Sequence, residues 1–176
     1  MSQLQDEPLT GHFSLFQLTR TDHRDLQEEN RHVTAEEKAK LVEVAKLLEL
    51  CQAALGCNIE VHSGRRYLAL NKRVGGSERS QHLKCEAVDF SPNGVDTEST
   101  INIAFDKLVA AAKAGSFKFG QLIVESDGRG RESRSVWIHI SLGAPWRDVA
   151  RCGEVLRMKD GKFEVVEKIP QEAPNA

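Results

Sequence analysis

Two histidines and an aspartate stand in segments whose residue types suit metal binding. His82 and Asp89 lie in the segment 80–89, and His139 follows Trp137 in a short apolar run. Imidazole nitrogen and carboxylate oxygen are usual protein ligands of a catalytic zinc, and such sites keep a fourth position for water. His82, Asp89 and His139 are therefore a candidate zinc site. Residue type and spacing alone leave a second interpretation open, in which these are ordinary histidines and a capping aspartate.

The spacing of the candidate ligands also predicts how the chain presents them. His82 and Asp89 lie seven positions apart, which is too far for neighbours on one helical face. A loop that leads into a strand over 87–90 is therefore expected. Apolar and polar residues alternate around His139, so this histidine and Trp137 should share one face of a second strand.

Four ordered segments resemble motifs of one enzyme family. The segment 80–89 resembles the Ser-x-His-x-x-Gly-x-Ala-x-Asp motif of zinc D-alanyl-D-alanine peptidases and phage L-alanyl-D-glutamate peptidases, whose second motif is Trp-x-His, as at 137–139. The segment 63–71 resembles the family's Ser-Gly-Tyr-Arg-Ser-x-x-x-Asn segment, and 12–19 resembles the start of its short, phage-type members. The resemblance extends from about residue 12 to residue 146. It implies a hedgehog-type zinc peptidase fold, a peptidoglycan stem peptide as substrate, and one zinc ion with the ligands His82, Asp89 and His139.

The resemblance also implies which residues contact the substrate. A guanidinium group suits a substrate carboxylate, and the family position favours Arg66 over its neighbour Arg65, whose role is left undecided. Ser80 would face the substrate, and Trp137 would line the site. A plain surface arginine and a plain turn serine remain the alternatives for Arg66 and Ser80.

One position departs from the first motif, because Cys85 stands where the family has Gly. If that Gly has a positive φ in the family, a cysteine there would be strained, since residues with a Cβ rarely adopt positive φ. A position of Cys85 near the metal is a second possibility, and a structural role is the favoured one.

Glu125 is the candidate general base. In several relatives the acid/base carboxylate lies three residues before the last histidine, where this chain has Val136. Phage-type members have a Gln-x-x-x-Glu strand like the segment 121–125, which favours Glu125, and a hairpin would bring it close to His139. Zinc lowers the pKa of a water that it binds to about 7, and a nearby carboxylate can move its proton to the leaving amine. Glu132 is the alternative base, and a surface role stays open for both glutamates.

The pattern of the whole chain predicts an α+β fold. Alternation predicts strands near 58–63, 87–90, 119–125 and 135–142, with a further hairpin around 160–161. Thr34 and Glu37 form a capping box for a helix that ends at Gly56, and a second amphipathic helix begins at Asp96 or Thr97 and ends at Gly115. We expect a small, mainly antiparallel sheet with helices on one face and the zinc site on the open face.

Length and composition predict one domain without a nucleic-acid partner. The 176 residues fit a single zinc peptidase domain over 12–169, with flexible tails at 1–11 and 170–176. The net charge of −2 and the lack of a basic stripe argue against nucleic acid. The four cysteines have no paired metal-type spacing and are expected to be free thiols.

The first residues and the apolar runs predict where the protein is made. The segment 1–8 is polar, without the apolar core of a signal peptide, and no apolar run approaches the ~20 residues of a membrane span. We expect synthesis in the cytoplasm and action on the cell wall after release or as part of a phage particle.

These patterns and the resemblance predict a zinc-dependent peptidase that hydrolyses peptidoglycan stem peptides. Either a phage endolysin-type endopeptidase or a D,D-carboxypeptidase fits, and the short chain without a signal peptide favours the first. The alternative from another class is a non-catalytic zinc-binding module of a phage particle or a wall-binding module. The sequence does not distinguish the two bonds, the host or the oligomeric state.

Overall fold

A central β-sheet organises the structure, a computed structural model that describes residues 6–95, 97–126, 135–159 and 162–171. Its strands are β1 Ile59–Ser63, β2 Ala87–Pro92, β3 Gln121–Ser126, β4 Val136–Ser141, β5 Glu154–Lys159 and β6 Lys162–Lys168. They lie in the order β1-β2-β4-β3-β5-β6. Among the described strands, β3 and β5 pair in parallel, and the other neighbours pair antiparallel. The predicted mainly antiparallel sheet is confirmed.

Helices account for the segments between the strands. They are α1 Leu15–Thr19, α2 Gln27–Arg31, α3 Ala35–Leu55, α4 Leu68–Arg73 and α5 Glu98–Lys113, with 3-10 helices at Arg24–Leu26, Gln81–Lys84 and Val149–Arg151. The predicted capping box opens α3, where the Thr34 side chain accepts from Glu37 N and the Glu37 side chain accepts from Thr34 N. The helix ends at Gly56 with φ 70°, which a residue without Cβ adopts freely. Thr97 caps α5.

The two long helices cover one face of the sheet. Both helices contribute fully buried apolar side chains, namely Leu41 and Leu48 from α3 and Ile101, Phe105 and Leu108 from α5. They pack against the inward face of β2, β3 and β4, whose buried side chains include Phe90, Leu122, Ile138 and Ile140. Burial of this set supplies the main driving force for folding, because apolar area removed from water contributes roughly 25 cal/mol per Å². The opposite face of the same strands is left for polar side chains, as predicted.

Two features of the fold were not predicted from the pattern. The polar segment 20–32 forms a 3-10 helix and α2, which the buried Asn30 ties to the rest of the chain by donating to the carbonyls of Thr19 and Arg65 at 2.7 and 2.9 Å. The predicted hairpin of β5 and β6 is present, but its parallel pairing with β3, by which it extends the sheet, was not predicted. The predicted turn at 160–161 lies outside the described residues.

All four cysteines are free thiols, as expected, and three of them are buried. Within the described ranges, no helix has the length and apolar character that crossing a membrane requires.

Candidate metal centre

The structure brings the three predicted metal ligands together on the open face of the sheet. Asp89 in β2 lies directly opposite His139 in β4. His82 lies in the 3-10 helix Gln81–Lys84, just before β2 begins. The exposed fractions of His82, Asp89 and His139 are 4%, 4% and 6%. One ligand atom from each residue lies within 4.8 Å of the other two, which is close enough for one metal ion.

Hydrogen bonds indicate which imidazole nitrogen of each histidine faces the cluster. Nδ1 of His82 lies 2.6 Å from the carbonyl oxygen of Gly64, and because a carbonyl can only accept, Nδ1 carries the proton. Nε2 of His82 then faces Asp89 Oδ1 at 3.2 Å. In His139 it is Nδ1 that faces the cluster, at 2.8 Å from the same Oδ1 of Asp89. Its Nε2 faces away and lies 3.0 Å from Gln81 Oε1.

The charges of the cluster suit a divalent cation. Burial lowers the pKa of His82, and the neighbouring Asp89 carboxylate only partly offsets this, so the imidazole is neutral at pH 7. Burial raises the pKa of Asp89, but the charges and hydrogen bonds of His82 and His139 outweigh it and hold the pKa below its usual range. A neutral imidazole and an ionised carboxylate are the forms that bind metal. Two imidazoles and one carboxylate therefore fit zinc with a position left for water.

Arg66 and Ser80 both lie beside the cluster. Arg66 Nη2 donates to Asp89 Oδ2 at 2.5 Å, and its Nε donates to Ser63 Oγ at 2.8 Å. The Ser80 side chain accepts from the backbone N–H of His82 at 3.3 Å and so caps the 3-10 helix that carries this ligand. The neighbour of Arg66, Arg65, is turned toward α2 and α3 instead.

Two cavities meet at the candidate metal centre. The larger has a volume of about 1010 Å³ and lies between the loop 74–80, the open face of β3 and β4, and the segment 146–151. The smaller, of about 550 Å³, lies against β1 and the start of β4. Arg66, Asp89 and Trp137 line both. The centre therefore has open space on either side.

Glu125 lies on the same face of the sheet as His139. Glu125 in β3 lies opposite Trp137 in β4, two residues along each strand from the pair of Ile123 and His139. Burial raises the pKa of Glu125 above its usual value; His139 and Arg66 partly offset this rise, and Asp89 adds to it. The indole N–H of Trp137 is buried and close enough to lower that pKa slightly, but it completes no hydrogen bond with a described residue. The alternative base Glu132 lies outside the described residues.

Cys85 has the left-handed backbone that the motif's glycine suggested. Its φ is 57° and its ψ is 33°, and no other non-glycine residue in the described ranges has a positive φ. Burial raises the pKa of its thiol to about 12, and the thiol lies near Arg65 and Glu37 rather than near the ligands. Cys85 is therefore not part of the metal cluster, and the strain expected from the sequence is present.

Two residues of the site were missed by the sequence reasoning. Gln81 contacts His139 across 58 positions of sequence, and no local pattern indicates such a contact. Gly64 was noted only as part of a motif. A Cβ on it would lie 2.3 Å from the backbone oxygen of Leu18, so only glycine lets the chain pass here and place its carbonyl on His82.

A comparison with family models adds to this geometry. The model described as Peptidase M15 matches residues 17–141, more than two thirds of the chain. That span contains all three candidate ligands and strands β1 to β4, and it ends before β5. No curated protein matches the chain.

Proposed function

Because the chain belongs to the Peptidase M15 family of zinc peptidases, we propose that it hydrolyses peptidoglycan stem peptides as an endopeptidase. The observation that carries the choice of an endopeptidase is the pair of cavities that share Arg66, Asp89 and Trp137. An endopeptidase needs space for several residues on both sides of the scissile bond, whereas a carboxypeptidase needs space for one residue beyond it. The volume of the smaller cavity lies within the range of about 300–1,000 Å³ that is usual for ligand pockets, and the volume of the larger cavity lies at the upper limit of that range.

The charges near the centre support a role for Arg66 in substrate binding. Its Nη2 is held by Asp89 and its Nε by Ser63, so the guanidinium plane is fixed at the junction of the two cavities. A fixed guanidinium can present its remaining N–H groups to a substrate carboxylate in defined geometry. Stem peptides carry free carboxylates beside their peptide bonds. Ser80 and Trp137 are proposed as the further substrate contacts, since both line the larger cavity.

Glu125 is the proposed general base. Zinc, when bound, supplies a Lewis acid that lowers the pKa of water and polarises the scissile carbonyl. Glu125 takes one proton from the attacking water and later gives a proton to the nitrogen of the leaving amine, so that the C–N bond breaks to a neutral amine. Burial of Glu125 raises its pKa toward the range in which a carboxylate both accepts and releases a proton.

Of the two bonds that the family resemblance offers, the open space on both sides of the centre favours the one between L-alanine and D-glutamate. This proposal places the enzyme at the cell wall, which it would reach after release from the cell or within a phage particle. The alternative is a non-catalytic zinc-binding module of a phage particle or of the wall-binding kind. Two residues favour it, namely Val136 at the position of the acid/base carboxylate in several relatives and Cys85 at the position of the motif glycine.

One experiment separates these functions. Purified protein is assayed for zinc content and incubated with purified peptidoglycan, with and without a chelator, and the fragments are identified by mass spectrometry. We expect one zinc per chain and chelator-sensitive fragments with a new amino-terminal D-glutamate. Release of free D-alanine alone would replace the endopeptidase by a carboxypeptidase. Zinc without any fragment would support the non-catalytic module, and protein without zinc would refute the metal centre.

A further inference from the structure

Gln81 completes the hydrogen bonding of His139 on the side that faces away from the ligand cluster. Its Oε1 lies 3.0 Å from Nε2 of His139, while Nδ1 of the same ring faces Asp89. We propose that Gln81 is a positioning residue: in the zinc-loaded protein its Oε1 would accept a hydrogen bond from Nε2–H of His139 and leave Nδ1 as the ligand atom. This inference rests on the zinc centre of the proposed function.

The orientation of the Gln81 amide is itself fixed by a second contact. Its Nε2 lies 2.9 Å from Ser141 Oγ, which also accepts a hydrogen bond from the backbone N–H of Gln121 at 2.9 Å. Ser141 is fully buried and lies in β4 two residues after His139. The amide N–H₂ group donates to this hydroxyl, and the amide oxygen faces the imidazole. An oxygen there can only accept, so Nε2 must donate.

The backbone packs closely around Ser141, which is the buried end of this series of hydrogen bonds. A Cβ on Gly120 would lie 2.7 Å from Ser141 Oγ and 2.3 Å from the carbonyl oxygen of Leu142, so a side chain there would displace Ser141. The series of hydrogen bonds therefore runs from the backbone of β3 through Ser141 and Gln81 to His139. It connects β3, β4 and the 3-10 helix Gln81–Lys84.

The two histidines are held in different ways. The partner of His82 is the backbone carbonyl of Gly64, which the truncation of a side chain does not remove. The partner of His139 is a side chain, so its contribution can be measured directly. Partners of this kind fix the tautomer and the ring orientation of a metal-binding histidine, and their loss typically weakens metal affinity by roughly 10–100-fold.

The test compares the zinc affinity of the intact chain with that of three variants, by competition with a chromophoric chelator. Gln81→Met keeps the length of the side chain but has no acceptor, and we expect its zinc dissociation constant to rise by about 10–100-fold. Gln81→Glu restores an acceptor, to which the Ser141 hydroxyl can donate, and should return the constant to within about threefold of the original. Gln52→Met is the matched control, because Gln52 Oε1 accepts from Ile59 N at 3.1 Å far from the site; its zinc affinity should not change.

A second readout separates positioning from general stability. In protein labelled with ¹⁵N-histidine and loaded with zinc, the original chain should show a protected Nε2–H signal for His139, and Gln81→Met should lose it. Unchanged zinc affinity in Gln81→Met would overturn the inference, as would equal weakening in Gln81→Glu. An original chain that binds no zinc would instead refute the proposed function, so the two failures are distinguishable.

Discussion

Arg65 and Arg66 are adjacent in the sequence, yet their guanidinium groups bind on opposite sides of the chain. Arg65 is buried, donates to two backbone carbonyls of α2 at 3.1 Å, and pairs with Glu37 of α3. Arg66 pairs with Asp89 at the metal centre. Successive side chains of an extended segment point in opposite directions. One arginine therefore secures the scaffold, and its neighbour belongs to the site.

The same substitution at these two positions should give different effects. The guanidinium group of Arg65 contacts both the Glu37 carboxylate and the backbone carbonyls of α2, and the single amine of a lysine cannot reach both. We therefore expect Arg65→Lys to lower the free energy of unfolding by about 2–3 kcal/mol. Arg66→Lys should instead raise KM for a stem peptide by about tenfold, through loss of a charge-assisted hydrogen bond worth about 1.4 kcal/mol. Denaturant titration and steady-state kinetics measure the two effects. If fully folded Arg65→Lys protein showed a raised KM, the assignment of Arg65 to the scaffold rather than to substrate binding would be contradicted.

Glu125→Gln should separate metal binding from hydrolysis. The amide cannot take a proton from water, so kcat should fall by roughly 10²–10⁴-fold. Zinc content should not change, because Glu125 is not among the three ligands. Glu43→Gln is the control, since Glu43 lies on α3, where it pairs with Lys46, and its kcat should equal that of the original chain. Full activity in Glu125→Gln would exclude it as the base.

The pH dependence of kcat/KM should show the raised pKa of Glu125. The base acts only when deprotonated, so activity rises as the pH passes upward through its pKa. Since burial holds that pKa above the 4.5 that is usual for glutamate, the acid limb should lie above pH 4.5. Rates measured between pH 4 and 8 on zinc-loaded protein locate the limb. An acid limb below pH 4.5 would mean that Glu125 is not the titrating base.

The strained backbone at Cys85 should make this position sensitive to side-chain shape. A β-branched residue tolerates φ near 57° poorly, so Cys85→Val should lower the free energy of unfolding by about 1–2 kcal/mol more than Cys51→Val. Cys51 is an equally buried thiol within the regular helix α3, and it therefore controls for the larger volume of valine. Chemical denaturation measures both variants. Equal losses would show that the backbone at 85 carries no extra strain.

Gly64 links the scaffold to the metal centre, and Gly64→Ala tests that link. The added Cβ would lie 2.3 Å from Leu18 O, so the end of β1 must shift and carry the carbonyl away from His82. We expect a loss of about 2 kcal/mol in the free energy of unfolding, typical of overpacking, together with weaker zinc binding. Gly11→Ala is the control, because its nearest contact would be a side-chain atom at 3.8 Å. Zinc affinity that stays unchanged in Gly64→Ala would contradict the link.

Local chemistry made much of the fold and part of the site predictable. The capping box at Thr34 and the glycine at position 56 act within a few residues, and the structure confirms the bounds that they predicted for α3. The alternation around His139 likewise depends only on the period of a strand, and it placed this ligand on the open face. The three candidate ligands could be named from the sequence because their residue types and order match a known motif.

What was missed depends on contacts between distant segments. The β5–β6 hairpin could be predicted from its own local pattern. Its parallel pairing with β3, as between Glu154 and Gln121, joins distant segments of the sequence, and no local alternation of residues predicts it. The role of Arg65, which the sequence left undecided, depends on where α2 lies, and α2 is held by Asn30 rather than by an apolar stripe. Gln81 was missed for the same reason, since its partner His139 comes from another strand.

The ladder between β2 and β4 sets Asp89 opposite His139, and the Gly64 carbonyl holds His82. Each of these ligands is thus anchored by interactions among protein groups that form as the sheet forms. Such a centre differs from a zinc finger, whose chain folds only around its ion. Most of the entropy of ordering the ligands is lost during folding, so little remains to be lost on metal uptake. We therefore expect the chain to fold before it binds its ion, and to bind and exchange zinc without unfolding.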